Sequence, residues 1–250
     1  MKILFITVGT SALTAQDLFD DVPAATAVAL KEHVRNYCKV LRDDPQGQKD
    51  YERGENLFGD ILALHRNHWK DWDENSNRLT TSAEMSSTSL LLADTKLLAP
   101  LEPQDRFVLL LSDTEICDLT GRLNAQLLHD ICHCPCGADF KNGQTGCERV
   151  ILLKVPKMDA AEGFKPLVTE IQTLIGRFQS GNAQFAFNIT GGFKGAIPCI
   201  TWVAMGRNYP LYYLHESQRA IIRVDFSPAA GGFREEFLLT RRCLTPRGIV

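Results

Sequence analysis

Two short segments carry the residue types that could hold a phosphate. Val8-Gly9-Thr10-Ser11 closes an apolar run at 3–8, and Asn188-Ile189-Thr190-Gly191-Gly192-Phe193-Lys194 follows another at 184–188. Glycines let a backbone approach a phosphate closely, and N–H groups at a helix start carry partial positive charge. Thr10 and Thr190 add hydroxyls, and Lys194 adds a full positive charge. Each feature also has a plain reading: a turn for the glycines, a helix N-cap for Ser11, a solvated cation for Lys194. Asp113, just after the run at 106–111, either accepts from an adenine or ribose or caps the next helix. Phe193 either touches a ligand or packs under its loop. Neither segment fits Gly-x-Gly-x-x-Gly or Gly-x4-Gly-Lys-Ser/Thr, which disfavours NAD-dependent oxidoreduction and ordinary NTP hydrolysis.

A second cluster is sulfur-rich. Cys132-His133-Cys134-Pro135-Cys136 and Cys147 place four of the chain's eight cysteines and a histidine within 16 residues. That is enough for a tetrahedral zinc, although the spacing departs from paired Cys-x2-Cys knuckles. The reading adopted is a reduced, loop-borne thiol cluster with no metal or cofactor assigned; a zinc staple on a loop is the alternative. Cys38, Cys117, Cys199 and Cys243 are scattered and read as small core or surface residues. The six histidines are dispersed. His215-Glu216, at a strand end, is a second-rank general acid candidate.

The elements that must position these groups alternate. Strand-length apolar runs lie at 3–8, 106–111, 150–155, 184–188 and 210–214, with helical stretches at about 24–41, 83–98, 118–131, 160–179 and 192–207. Continuous apolar runs are what strands buried on both faces require. The fold expected is α/β: a Rossmann-like, mostly parallel sheet with helices on both faces. Pro198 either kinks the helix over 192–207 or opens it after a loop-like start. Residues 219–225 and 234–239 read as closing strands around Pro228-Ala229-Ala230-Gly231-Gly232, a short C-terminal β extension. The charged stretch at 42–80, with His65-Arg66-Asn67-His68-Trp69, reads as a partly helical insertion: a lid over a ligand or a surface decoration. One domain over 1–225, carrying that insertion, and an extension over 226–250 are expected.

No apolar run reaches the roughly 18 residues of a membrane-spanning helix. The apolar start, Met1 to Val8, lacks a cleavage pattern and reads as a buried first strand, so a cytoplasmic location is expected. The net charge of −3 offers no global field for long nucleic acid, which favours a compact anionic ligand held locally.

Together, Thr7-Val8-Gly9-Thr10-Ser11 and Asn188-Ile189-Thr190-Gly191-Gly192-Phe193-Lys194 resemble the CRISPR-associated Rossmann-fold (CARF) family, and within it the standalone ring nucleases. Ser82-Ala83-Glu84, Leu111-Ser112-Asp113-Thr114 and Tyr212-Tyr213-Leu214-His215-Glu216 match further, so the likeness covers roughly 1–40 and 80–225. The resemblance implies a homodimer with one composite site on its two-fold axis. The implied ligand is a cyclic oligoadenylate, with the tetra-adenylate expected. It also implies metal-independent opening of that ring by attack of a ribose 2′-OH on the adjacent phosphate, leaving linear products with 2′,3′-cyclic phosphate. Such a phosphodiesterase would switch off type III CRISPR signalling in antiviral defence. The positions matching the family's catalytic residues are Ser11, to position the 2′-OH or a phosphate oxygen, and Lys194, to stabilise charge. Gly9, Thr10, Thr190, Gly191 and Gly192 would cradle phosphate and ribose. The short stretch after 225 leaves no room for an effector domain, which points to a messenger-degrading member. A non-catalytic sensor of the same ligand is the alternative. An RNase for linear RNA using His65, His68 or His215 is a third reading that the acidic charge counts against.

Overall fold

Alternate residues of the first strand face opposite ways, and both sets are apolar. Leu4 and Ile6 enter one buried cluster, Ile3 and Phe5 the other. A strand of this kind is stable only between two layers of helix. The computed structural model has that architecture. It describes residues 1–14, 16–19, 22–43, 51–70, 82–93, 101–138, 140, 147–155, 163–179, 181–192, 194–215, 220–226, 234–238, 244–245 and 248–249.

The strands are β1 (Lys2–Thr7), β2 (Arg106–Ser112), β3 (Val150–Val155), β4 (Gln184–Asn188), β5 (Leu211–His215), β6 (Ala220–Asp225), β7 (Arg234–Leu238), β8 (Leu244–Thr245) and β9 (Gly248–Ile249). The helices are α1 (Ser11–Thr14), α2 (Ala24–Asp43), α3 (Tyr51–Lys70), α4 (Ala83–Ala93), α5 (Glu115–Ile131), α6 (Lys165–Gln179) and α7 (Ile197–Arg207). The main sheet is seven-stranded in the order β3-β2-β1-β4-β5-β6-β7. The first five strands are parallel, and β6 and β7 close it antiparallel. The strand order reverses between β1 and β4, which is where an open α/β sheet parts to admit a ligand. Helices α1 to α5 supply one face of the core, and α6 and α7 the other.

The expected strands and helices are all present, with ends shifted by a few residues. The stretches 94–98 and 160–162 of two expected helices lie outside the described residues, as does the turn at 228–232. The charged stretch holds a surprise. Residues 42–43 end α2, and 51–70 form the helix α3, in keeping with the expected helical content, but Leu57, Phe58, Ile61 and Leu62 are in the core, so this helix is no surface decoration. His65 on the same helix is fully buried, with Nε2 2.9 Å from the Ala12 carbonyl. The C-terminal extension gives β7 to the main sheet and a small β8–β9 hairpin. No helix among the described residues is long and apolar enough to cross a membrane.

Candidate functional site

The two glycine segments meet. Strands β1 and β4 are neighbours, so the turns leaving their carboxyl ends lie side by side. A Cβ at Gly9 would lie 2.9 Å from the Gly192 nitrogen. Gly192 has φ +91° and sits against Thr7, where a Cβ would come within 2.7 Å of the Thr7 Cβ. Only glycine combines that backbone angle with so close an approach. Thr7 in turn donates its hydroxyl hydrogen to the Gly191 carbonyl, tying the first strand to the second turn.

Beneath both turns lies the start of α4. Ser82 caps it, accepting from Met85 N–H at 3.1 Å and donating to Asn124 Oδ1 at 2.7 Å. Glu84 in its first turn is fully buried and faces the glycine turns. Its Oε1 accepts from Gly9 N–H at 2.7 Å, and its Oε2 accepts from the Ser11 hydroxyl. Ser11 Oγ also accepts from Ala83 N–H at 3.1 Å. A Cβ on Gly191 would run into the Glu84 carboxyl group, so the glycine is required there.

One turn further along α4, Ser87 and Thr88 are buried too. They accept from Asn188 Nδ2 at 2.7 and 3.0 Å. Asn188 Oδ1 accepts from both Thr190 N–H, at 3.2 Å, and Thr190 Oγ1, at 2.7 Å. Thr190 Oγ1 then accepts from Leu214 N–H at 2.9 Å. Buried polar networks of this kind hold their geometry because each unmade bond is costly in low dielectric. Helix α4 is thus a polar strut, carrying Glu84 for one turn and Ser87 and Thr88 for the other.

A cavity of about 440 Å³ opens beside the turns, at the carboxyl ends of β1, β2 and β3. Val8, Leu110, Val155, Leu167 and Ile200 give it apolar walls, and Thr10, Asp113 and Thr114 give it polar groups. Its volume is within the usual range of small-molecule sites.

The expected site residues divide accordingly. Gly9, Thr10, Asp113 and Gly192 line the cavity. Ser11, Thr190 and Gly191 adjoin these residues without lining the cavity, with Ser11 on Glu84 and Thr190 on Asn188. Lys194 is exposed at the start of a short 3-10 turn, Lys194–Ala196, two residues after Gly192 and two before Ala196, both of which line the cavity. Phe193 lies outside the described residues. Asp113 is exposed and is not the helix cap; Thr114 caps α5, accepting from Cys117 N–H at 3.2 Å. Pro198 sits in the first turn of α7, so it opens that helix after the loop-like start instead of kinking it. His215 ends β5 opposite Ala220, and Glu216 lies outside the described residues. His65 is a core residue, which removes it as a general base.

Not every N–H at the turns is open to a ligand, since those of Gly9 and Thr190 are spent internally. Among the described residues no partner is found for the N–H groups of Thr10, Gly191 and Gly192. Such unspent backbone donors are the material of an anion site. Glu84 and Asn188 are the organising residues whose roles sequence reasoning missed. Asn188, the residue four before Gly192, and Glu84, which follows a Ser-Ala pair, carry no local signal of contacts made across 75 to about 100 residues of chain.

The model of the CRISPR-associated protein family Cas_APE2256 matches residues 80–225, more than half of the chain. The matched stretch contains Glu84, Asp113, Asn188, the second glycine turn and Lys194. A comparison with curated proteins found no match.

Proposed function

We propose that this chain, which belongs to the CRISPR-associated protein family Cas_APE2256, binds a cyclic oligoadenylate at the glycine turns and opens it. The observation that carries this reading is the meeting of Gly9 with Gly191-Gly192 at the β1/β4 switch point, beside a cavity with apolar walls and few polar groups. An adenine suits the apolar walls, and a phosphate suits the unspent N–H groups of Thr10, Gly191 and Gly192. A cavity of this size takes part of such a ring, and a second copy of the chain supplies the rest. Trp202 and Met205 of α7, 64% and 54% exposed, give that second copy an apolar face next to the Lys194 turn. Two-fold symmetry matches a ring with an even number of adenylates.

The nucleophile in this reaction belongs to the substrate. The 2′-oxygen bonds to the adjacent phosphorus, the bond to the 5′-oxygen breaks, and a 2′,3′-cyclic phosphate and a 5′-hydroxyl remain. A proton leaves the 2′-OH and one reaches the 5′-oxygen, so no water is consumed. The protein contributes orientation and charge. The Ser11 hydroxyl donates its hydrogen bond to Glu84 and accepts one from Ala83 N–H, so its remaining lone pair can only accept, which suits a 2′-OH better than a phosphate oxygen. Lys194 offers the charge that a phosphorane needs and a proton for the leaving oxygen.

A sensor that binds the ring without cutting it is the second reading. What favours it is the engagement of the Ser11 hydroxyl by Glu84 and Ala83. One assay separates the two: protein and cyclic tetra- or hexa-adenylate in EDTA, with products resolved by mass. Linear 2′,3′-cyclic phosphate products that disappear in Lys194→Ala support the nuclease. Binding without cleavage supports the sensor, and neither binding nor cleavage removes the cyclic oligoadenylate reading. For the dimer, light scattering should show Trp202→Asp as a monomer that has lost ring affinity.

A further inference from the structure

The sequence offers four clustered thiols, but the fold selects a different set of four ligands. His129 is in the last turn of α5, and Cys134 and Cys136 lie in the loop directly after it. Cys147 arrives from the segment entering β3. One ligand atom from each of these four residues falls within 4.8 Å of all the others. Cys134 Sγ is 3.3 Å from both Cys136 Sγ and Cys147 Sγ, and Cys136 Sγ is 3.4 Å from His129 Nε2. Cys132 is excluded: it is the C-cap of α5 and sits in the hydrophobic core. His133 is excluded as well, being exposed with φ 46°.

We propose that His129, Cys134, Cys136 and Cys147 form a structural zinc site that clamps the end of α5 to the start of β3. Three sulfurs and one imidazole nitrogen are a ligand set for zinc, and softness disfavours magnesium or calcium there. The separations fit. Tetrahedral zinc with Zn–S about 2.3 Å and Zn–N about 2.0–2.1 Å puts sulfurs about 3.8 Å apart and sulfur and nitrogen about 3.5 Å apart. The three close pairs fall about 0.1 to 0.5 Å inside these edges and all pairs lie within 4.8 Å, a set that small side-chain rotations bring to a regular tetrahedron. They are far from the roughly 2.05 Å of a disulfide.

The backbone around the cluster is held in place without help from the thiols. Cys134 N–H donates to the His129 carbonyl at 3.3 Å, bringing the loop back over the helix end. Gly137 at φ +63° turns the chain after Cys136. The Arg149 guanidinium, two residues past Cys147, donates to the Cys132 carbonyl at 3.1 Å. The Phe140 ring meets His129 edge-on at 6.1 Å.

Four protein ligands close the coordination shell, the mark of a structural rather than a catalytic zinc. Position agrees. Cys147 precedes β3, whereas the cavity touches Val155 at its other end, about 20 Å away along six residues of strand. The clamp therefore serves the fold and not the chemistry at the turns.

The test is metal content and coordination of the full chain, expressed with zinc in the medium. Elemental analysis should find close to one zinc per chain. X-ray absorption should give three sulfurs and one nitrogen around it. Cys136→Ser, at the exposed ligand least able to disturb folding, and Cys134→Ser should lose the zinc while keeping the wild-type circular dichroism. His133→Ala and Cys132→Ala should keep it. Little or no zinc in the wild type, a four-sulfur shell, or a disulfide among these cysteines in the purified protein would each overturn the proposal.

Discussion

At the carboxyl end of the sheet, Gly9, Gly191 and Gly192 bring backbone to within contact of backbone, while the buried Glu84 and Asn188 hold the turns from below. At the amino end, His129, Cys134, Cys136 and Cys147 converge on one another, with their loop anchored by Arg149. The first arrangement leaves backbone N–H groups with no partner among the described residues and faces a cavity. The second turns its ligand atoms toward one another. An open site gains function by leaving groups unsatisfied, which costs stability; a closed one does the reverse. The two also differ in what fixes them. Glycine turns are fixed by steric contact with a polar helix, whereas the thiol cluster is fixed by loop bonds and, under our proposal, by a metal.

The largest effect should come from removing the metal, and it should be confined to the amino end. If zinc binds the folded chain with a thousandfold excess over its dissociation constant, it contributes about 4 kcal/mol. For a chain of this size that is a fall of roughly 8–16 °C in melting temperature after chelation. Cyclic tetra-adenylate affinity, measured at a temperature where both forms are folded, should stay within about threefold, because additivity holds for distant sites. A parallel collapse of affinity would break the separation of the two ends.

Next is Lys194→Ala. Losing one well-placed charge or donor typically costs about 3–4 kcal/mol of transition-state stabilisation, or a 100- to 1,000-fold fall in single-turnover rate. Lys194 is exposed and outside the cavity wall, so melting temperature and zinc content should not move. A rate that falls only with affinity would assign Lys194 to ground-state binding.

Gly191→Ala should follow, acting on stability and site together. Its methyl group would occupy the place of the Glu84 carboxyl group. Forcing an extra methyl into a packed site costs about 1–3 kcal/mol, readable by denaturant unfolding, and displacing Glu84 should free Gly9 and Ser11 and weaken ring binding. Stability lost with binding intact would mean that the Glu84 contacts serve folding alone.

How much of this was legible in the sequence depended on the range of the forces involved. Buried parallel strands announce themselves as apolar runs, so β1 to β5 and the helices between them could be read directly. The glycine turns were legible as turns, and their meeting followed once the strand order was in hand. The core role of helix α3 was not, because the charges of this stretch mask the buried Leu57, Phe58, Ile61 and Leu62, and it read only as a partly helical insertion. Glu84 was visible as a motif residue only; its partners Gly9 and Ser11 are 75 and 73 residues away. The thiol cluster was legible in composition but not in membership. Cys132 is adjacent in sequence yet caps a helix into the core, where burial pushes its thiol up to about 12. His129, four residues before a loop, reads as an ordinary position on a helix.

Asp113 should give the smallest effect, and its sign carries the information. The residue is exposed, lines the cavity, and has been relieved of capping by Thr114. A carboxylate beside an anionic ligand repels its phosphates but can accept from an adenine amine or a ribose hydroxyl. A hydrogen bond to a charged group is worth about 1.5–3 kcal/mol when shielded, and less at a solvent-exposed rim. Asp113→Ala should therefore weaken cyclic tetra-adenylate binding by a modest factor, three- to tenfold, about 1 kcal/mol, in calorimetry at moderate salt. If repulsion alone was being relieved, affinity would rise instead of fall, and most at low salt, where that repulsion is least screened. A fall places a base or sugar at this corner of the cavity; a rise places a phosphate there, moving the ring's backbone away from Gly191 and Gly192 and towards β2.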